Sequence, residues 1–200
     1  MSSPPIFTQS ANTAGLTQFL EQHPKQILIF DFDDTIFTLD LPWHEYFDGL
    51  VARLAKLDPS LHEFRNIAEL EHAAVDQHGD EAVRLIRAWS GQFETEKLRG
   101  VSEHSQLTNF IRTNRDNYRF FLWTSNMRAS VEPVLDRTGL LPMFSKLITK
   151  DSVRYTKPNP EGFAQIHAGE PLDEFLFVGD SVNDQQAAAA VGIDFFKVAH

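Results

Sequence analysis

The chain has 200 residues and a mass of 22.8 kDa, with 42% hydrophobic and 23% charged residues, the composition of a folded globular domain rather than a disordered or low-complexity one. It contains no cysteine, which excludes disulfide frameworks, thiolate metal sites and cysteine nucleophiles. The formal charge of −10, with no basic run to offset it, argues against nucleic acid as a partner.

Residues 1–26 lack a basic region followed by an apolar stretch, so no secretory signal is expected. The apolar run at 27–30 falls far short of the roughly 20 residues of a membrane span. A cytoplasmic protein with no membrane partner is the expectation. Residues 13–23 carry Leu16, Phe19 and Leu20 at helical spacing, and Pro24 stops that helix. Residues 26–32 (QILIFDF) read as a buried strand ending in acid: Asp31, Asp33 and Asp34. From about 38 to 99 the pattern is helical throughout, with no strand. Phe47, Leu50, Val51, Leu54 and Leu57 make one apolar stripe. Ala82, Leu85, Ile86, Trp89 and Phe93 make another, with Asp80 as its N-cap. Leu61, Phe64, Ile67 and Ala68 mark a third helix between them. After Gly100, a helix through Leu107, Phe110 and Ile111 precedes strands at 119–123, 147–149, 175–178 and 194–198. Strand–helix alternation implies a parallel sheet with helices on both faces. The expected architecture is an α/β core, split after its first strand by a helical insertion.

In open parallel sheets, ligands bind beyond the carboxyl ends of the strands. Asp31 and Asp33 lie at such an end, two residues apart, and would share one side of an extended chain. Paired carboxylates repel unless a cation compensates, and an oxygen-preferring divalent ion such as Mg²⁺ meets that need. The plainer reading is that these acids end a strand and cap the next element. Thr124, Ser125 and Asn126 follow the strand at 119–123, either as an anion-binding nest or as an ordinary turn. Lys157 stands in YTKPNPEGF, between a loop and a helix expected to begin at 161–163. Gly179, Asp180 and Ser181 follow the strand at 175–178, and Asp184 comes four residues after Asp180. Asp184 also suits the first turn of an alanine-rich helix, where the helix dipole favours an acid.

Taken in order, strand–DxDxT, strand–Thr, Lys-Pro and strand–GDxxxD resemble the four motifs of the haloacid dehalogenase-like hydrolases, over residues 27–198. The insertion and KPNPEGF are similar to the phosphoglycolate-phosphatase-like branch. The resemblance implies a three-layer, Rossmann-like parallel sheet formed by residues 1–37 and 100–200, and an all-helical cap at 38–99. It further implies a Mg²⁺-dependent phosphatase acting on a small phosphomonoester, of phosphoglycolate, sugar phosphate or nucleoside monophosphate type. In that scheme Asp31 is the nucleophile and forms an aspartyl-phosphate, while Asp33 is the acid and base. Thr124, Ser125, Asn126 and Lys157 bind phosphate, and Thr124 and Lys157 belong to the catalytic set. The metal is held by Asp31, Asp33 through its carbonyl, and Asp180, with Asp184 behind them orienting Lys157. Asp34 departs from the family's frequent glycine at that position.

Within 38–99 there are 7 basic and 12 acidic residues, a balance that disfavours a polyanionic substrate. Trp43, His44, Glu45 and Tyr46 are the first insert residues expected to face the site, or else simply open a helix. His44, His62, His72, His78 and His104 match no metal spacing. The runner-up function is a phosphosugar mutase of the same superfamily. A receiver-type phospho-acceptor conflicts with the motif order, and a non-catalytic binding protein conflicts with the intact nucleophile and lysine. A monomer or weak homodimer is expected.

Overall fold

Strands β2 (Ile27–Phe30), β5 (Arg119–Trp123), β6 (Phe144–Ile148), β7 (Phe175–Gly179) and β8 (Asp194–Lys197) form one parallel sheet in the computed structural model, which describes residues 6–9 and 14–198. The order is β6-β5-β2-β7-β8. Successive strand side chains alternate between faces, and here the alternation separates two cores. Leu28, Phe30, Phe120, Leu122, Leu176 and Val178 pack into one; Ile27, Ile29, Phe121, Trp123, Phe175 and Phe177 pack into the other. A one-residue slip of β2 would exchange the two sets, so register is strongly specified. Phe30 pairs with both Leu122 and Val178, which brings the carboxyl ends of β2, β5 and β7 level.

Helices α1 (Ala14–Gln22), α4 (Ser105–Thr113), α5 (Arg128–Arg137) and α6 (Val182–Val191) accompany the sheet. Thr13, where the sequence reading starts the first helix, lies outside the described residues. The insertion consists of α2 (Trp43–Leu54), a 3₁₀ turn at Pro59–Glu63 and α3 (Ile67–Lys97). The expected separate helix at 61–68 is therefore a 3₁₀ turn followed by the start of α3. The helix expected from Asp80 is the second arm of α3, which begins just after a break at Gly79, and the Asp80 side chain pairs with Arg154. Gly79 takes φ 59° and ψ −132°, breaking α3 into two arms. That left-handed φ suits glycine because no Cβ opposes it. Gly49 lets α2 and α3 cross closely: a Cβ there would lie 2.2 Å from Cζ2 of Trp89.

Three strands were absent from the sequence reading. β3 (Phe37–Leu39) pairs antiparallel with β4 (Val101–His104), and β1 (Ile6–Gln9) adds parallel to β4. Runs of three and four residues are too short to show a period. They hold the two chain crossings together, with Asp40 N donating to Gly100 O and Arg99 N to Asp40 O. The short run at 147–149 belongs to the longer β6, and the helix expected from 161 is a 3₁₀ turn, Pro160–Gln165. The first core cluster continues from the sheet into the insertion through Tyr46, Leu50, Leu54, Leu61 and Leu70. No helix among the described residues is long and apolar enough to cross a membrane.

Candidate active site

Asp31 follows β2 and stays tied to the sheet, its N–H donating to Val178 O at 3.0 Å. Its carboxylate is buried and accepts from Lys157 Nζ at 2.6 Å. The same ammonium reaches Asp184 Oδ1 at 2.5 Å. Asp184 is fully buried and divides its oxygens: Oδ1 serves Lys157, while Oδ2 accepts from Ser181 N (3.1 Å) and Ser181 Oγ (2.7 Å) at the start of α6. One oxygen thus contacts Lys157 and the other joins the capping box of α6. Gly179 makes this possible, since a Cβ there would meet Asp184 Oδ2 at 2.6 Å. Asp180, half-buried, accepts from Thr35 Oγ1 at 3.1 Å.

Oxygens of Asp31, Asp180 and Asp184 all lie within 4.8 Å of one another. Burial pushes the Asp31 carboxyl up, Asp184 adds to the shift, and the Lys157 ammonium opposes it. Asp180 is raised by burial and then by Asp184, against the Thr35 hydrogen bond. Burial alone would depress Lys157, but Asp184 and Asp31 outweigh it and favour the ammonium form. Three crowded carboxylates against one lysine leave excess negative charge, and an all-oxygen donor set suits a hard divalent cation.

Asp33 turns away from this cluster. Its Oδ1 accepts from Leu39 N at 2.7 Å, in the strand leading into the insertion. Burial raises its carboxyl well above the ordinary range, Leu39 N–H opposing and Asp34, Asp31 and Glu94 adding. Asp34 has φ 54°, in the left-handed region that favours glycine and, among other residues, Asn and Asp. Its side chain accepts from Thr38 Oγ1 at 2.8 Å.

A cavity of about 490 Å³ lies over the strand ends. Asp31, Asp33, Asp34, Ser125, Asn126, Lys157 and Asp180 line it from the sheet side, and Trp43, Tyr46, Phe47, Arg65, Ile67 and Glu71 from the insertion. Thr124 and Asp184 stand behind that lining. The Thr124 hydroxyl donates to Asn126 Oδ1 at 2.7 Å and accepts from Asn126 N, so it braces the loop that presents Ser125 and Asn126. Trp43 and Tyr46 face the cavity as expected; His44 and Glu45 are not among its lining residues, and Glu45 pairs with Lys97 at 3.3 Å. The sequence reading missed Arg65, Glu71, Lys150, Thr156 and Asn183, which also line it. Thr156 and Asn183 stand at unspecified positions inside the Lys-Pro and GDxxxD motifs, whereas Arg65, Glu71 and Lys150 reach the cavity only through the packing of distant segments.

Residues 28–198 match the family model described as haloacid dehalogenase-like hydrolase. A phosphoglycolate phosphatase of Pseudomonas savastanoi pv. phaseolicola is 39% identical over 74 residues, covering 36% of this chain and 27% of that protein. The chain thus aligns with well under half the length of that curated relative. A HAD phosphatase from Thermococcus onnurineus has a similar fold at 21% identity, with a TM-score of 0.54 and coverage of 85% of this chain and 84% of that one. A magnesium-bound HAD-hydrolase from Bacillus subtilis is similar at 17% identity and a TM-score of 0.50, covering 86% and 85% of the two chains.

Proposed function

Because the chain belongs to the haloacid dehalogenase-like hydrolases, we propose that it is a Mg²⁺-dependent phosphatase that hydrolyses a small phosphomonoester through an aspartyl-phosphate. The observation that carries the reading is Asp31, buried on the cavity floor and held by Lys157 at 2.6 Å, beside the acids Asp180 and Asp184.

Asp31 attacks phosphorus, and the bond from phosphorus to the leaving oxygen breaks as the new one forms. Asp33, whose carboxyl burial raises well above its ordinary range, gives a proton to that oxygen. The resulting carboxylate then takes a proton from water as the water attacks phosphorus, which releases inorganic phosphate and restores Asp31. Lys157 compensates charge on Asp31 and the transferring group throughout. Ser125 and Asn126, presented by the Thr124 turn, hold phosphate oxygens. Asp31, the Asp33 carbonyl and Asp180 would hold Mg²⁺, with Asp184 behind them, and the ion would supply charge neutralisation at the phosphate. The insertion, covering the cavity as a cap formed by residues 38–99, limits the size of the leaving group and excludes water. The proposed setting is cytoplasmic: a monomer or weak homodimer acting on a small phosphorylated metabolite, with neither nucleic acid nor membrane.

The test is a panel of small phosphomonoesters, phosphoglycolate, sugar phosphates and nucleoside monophosphates included, assayed with and without Mg²⁺. Hydrolysis of at least one, abolished by exhaustive chelation and restored by Mg²⁺, is expected. Turnover undiminished by chelation overturns the metal assignment, and no turnover of any member overturns the phosphatase reading.

A further inference from the structure

Lys150 follows β6 and is only 6% exposed, so its charge needs partners. Among the described residues, the hydrogen-bond partners of its ammonium all come from the insertion: Glu71 Oε1 at 2.7 Å, Tyr46 OH at 3.1 Å and Ser90 Oγ at 3.4 Å. The residues after Lys150 repeat the pattern along the chain. Val153 O accepts from Arg87 at 2.8 Å, Arg154 pairs with Asp80, and the Tyr155 hydroxyl donates to Asp76 at 2.6 Å. Thr156 O lies 2.9 Å from His72 Nε2, and the Thr156 hydroxyl donates to Glu71 Oε2 at 3.3 Å. Glu71, His72 and Asp76 precede the break at Gly79, whereas Asp80, Arg87 and Ser90 follow it. Both arms of α3 therefore grip one segment, 150–156.

The next residue is Lys157, whose ammonium must stay within hydrogen-bond distance of Asp31 and Asp184 together. From the sheet side, Glu161 accepts from Arg154 N and Tyr155 N, and Gln165 donates to Ser152 O. The segment is thus fixed from two sides, one of them the insertion. A buried ion pair such as Lys150–Glu71 is a poor source of stability compared with apolar packing, and its best-attested use is to fix register. A misplacement of about 1 Å at a reacting group can cost about 10²-fold in rate.

We propose that α3 positions Lys157 through the 150–156 segment, with Glu71, Lys150 and Arg87 as positioning residues for phosphoryl transfer. The proposal rests on the role given to Lys157 above. The insertion then does more than cover the cavity: its docking on this segment sets the place of a catalytic cation whose own side-chain hydrogen bonds go to Asp31 and Asp184.

The experiment compares Arg87→Met, Lys150→Met and Lys150→Arg with wild type, using p-nitrophenyl phosphate with Mg²⁺. Arg87 lies outside the cavity that holds Asp31, and Arg87→Met carries the test alone if Lys150→Met fails to fold. Arg87→Met and Lys150→Met are expected to lower kcat about tenfold or more with KM within about twofold, and Lys150→Arg to recover part of the loss. The second readout is the side-chain ¹⁵N resonance of Lys157, assigned by its disappearance in Lys157→Arg, which is expected to shift in Arg87→Met. Unchanged kcat, or an unchanged Lys157 resonance alongside a lowered melting temperature, overturns the proposal and leaves the contacts as mere adhesion. If wild type hydrolyses no phosphomonoester, the functional reading fails, and the resonance alone then decides whether α3 places Lys157.

Discussion

The two oxygens of Asp184 allow its two roles to be separated by a double-mutant cycle with Lys157. Lys157→Ala leaves Asp31, the phosphate and Asp184 without their buried cation, the ammonium being 2.6 and 2.5 Å from the two carboxylates. Loss of one preorganised electrostatic partner costs about 10²–10³ in kcat, or roughly 2.7–4 kcal/mol of barrier. Asp184→Asn keeps the shape but removes a charge. It also places an amide donor against either the Lys157 ammonium or the Ser181 N–H, both of which are donors themselves. In either orientation the lysine loses its anionic partner on that side, and loss of a supporting group behind a site typically costs about 10–100-fold. Because Asp184 acts through Lys157, the double variant should be little worse than Lys157→Ala alone, as for residues working as a unit. Steady-state kcat for the four proteins, at saturating Mg²⁺ and substrate, measures the cycle. Fully additive losses in log kcat refute the reasoning and reduce Asp184 to the cap of α6.

Three further outcomes are expected. Asp33→Asn should lower kcat about 10²–10⁴-fold while tungstate binding, followed by calorimetry, stays near wild type, since the amide oxygen can still accept from Leu39 N; wild-type turnover would assign proton transfer to another group. Gly49→Ala gains about 1 kcal/mol in helix propensity but forces a Cβ to within 2.2 Å of Trp89, an overpacking worth about 1–3 kcal/mol, so urea unfolding should show net destabilisation, and a stabilised variant would refute the α2–α3 packing. Glu94 accepts from Met127 N and Ser130 Oγ, and burial raises its carboxyl above 4.5 against the opposing pull of Lys150. The folded state therefore binds the extra proton, and this group's contribution to stability falls as pH rises from about 4.5 through its folded pKa. The unfolding free energy of wild type minus that of Glu94→Gln should decline across that interval, and a flat difference would contradict the burial of Glu94.

The acidic strand ends of the candidate site were legible because each is a local event. An apolar run that alternates between two cores must stop where its polar residues begin, and β2, β5 and β7 stop together because Phe30, Leu122 and Val178 share one register. Asp31, Lys157, Asp180 and Asp184 could be named from those endings and the order of motifs alone. The direction of the Asp33 side chain could not, since its partner is an N–H of β3, a three-residue strand without a readable period. Nor could the seam between α3 and the 150–156 segment. Glu71 and Lys150 are charged residues 79 apart, and composition assigns both to solvent. They are buried only because the apolar stripe of α2 and α3 continues the core of the sheet, and that continuity carries α3 down against the loop. Once there, neither charge can remain unpaired, so each becomes a condition for the other. The polar residues least visible in the sequence are for this reason the ones whose positions depend most on the whole fold, and Lys150 opens the segment that ends one residue upstream of the lysine that the motif announces.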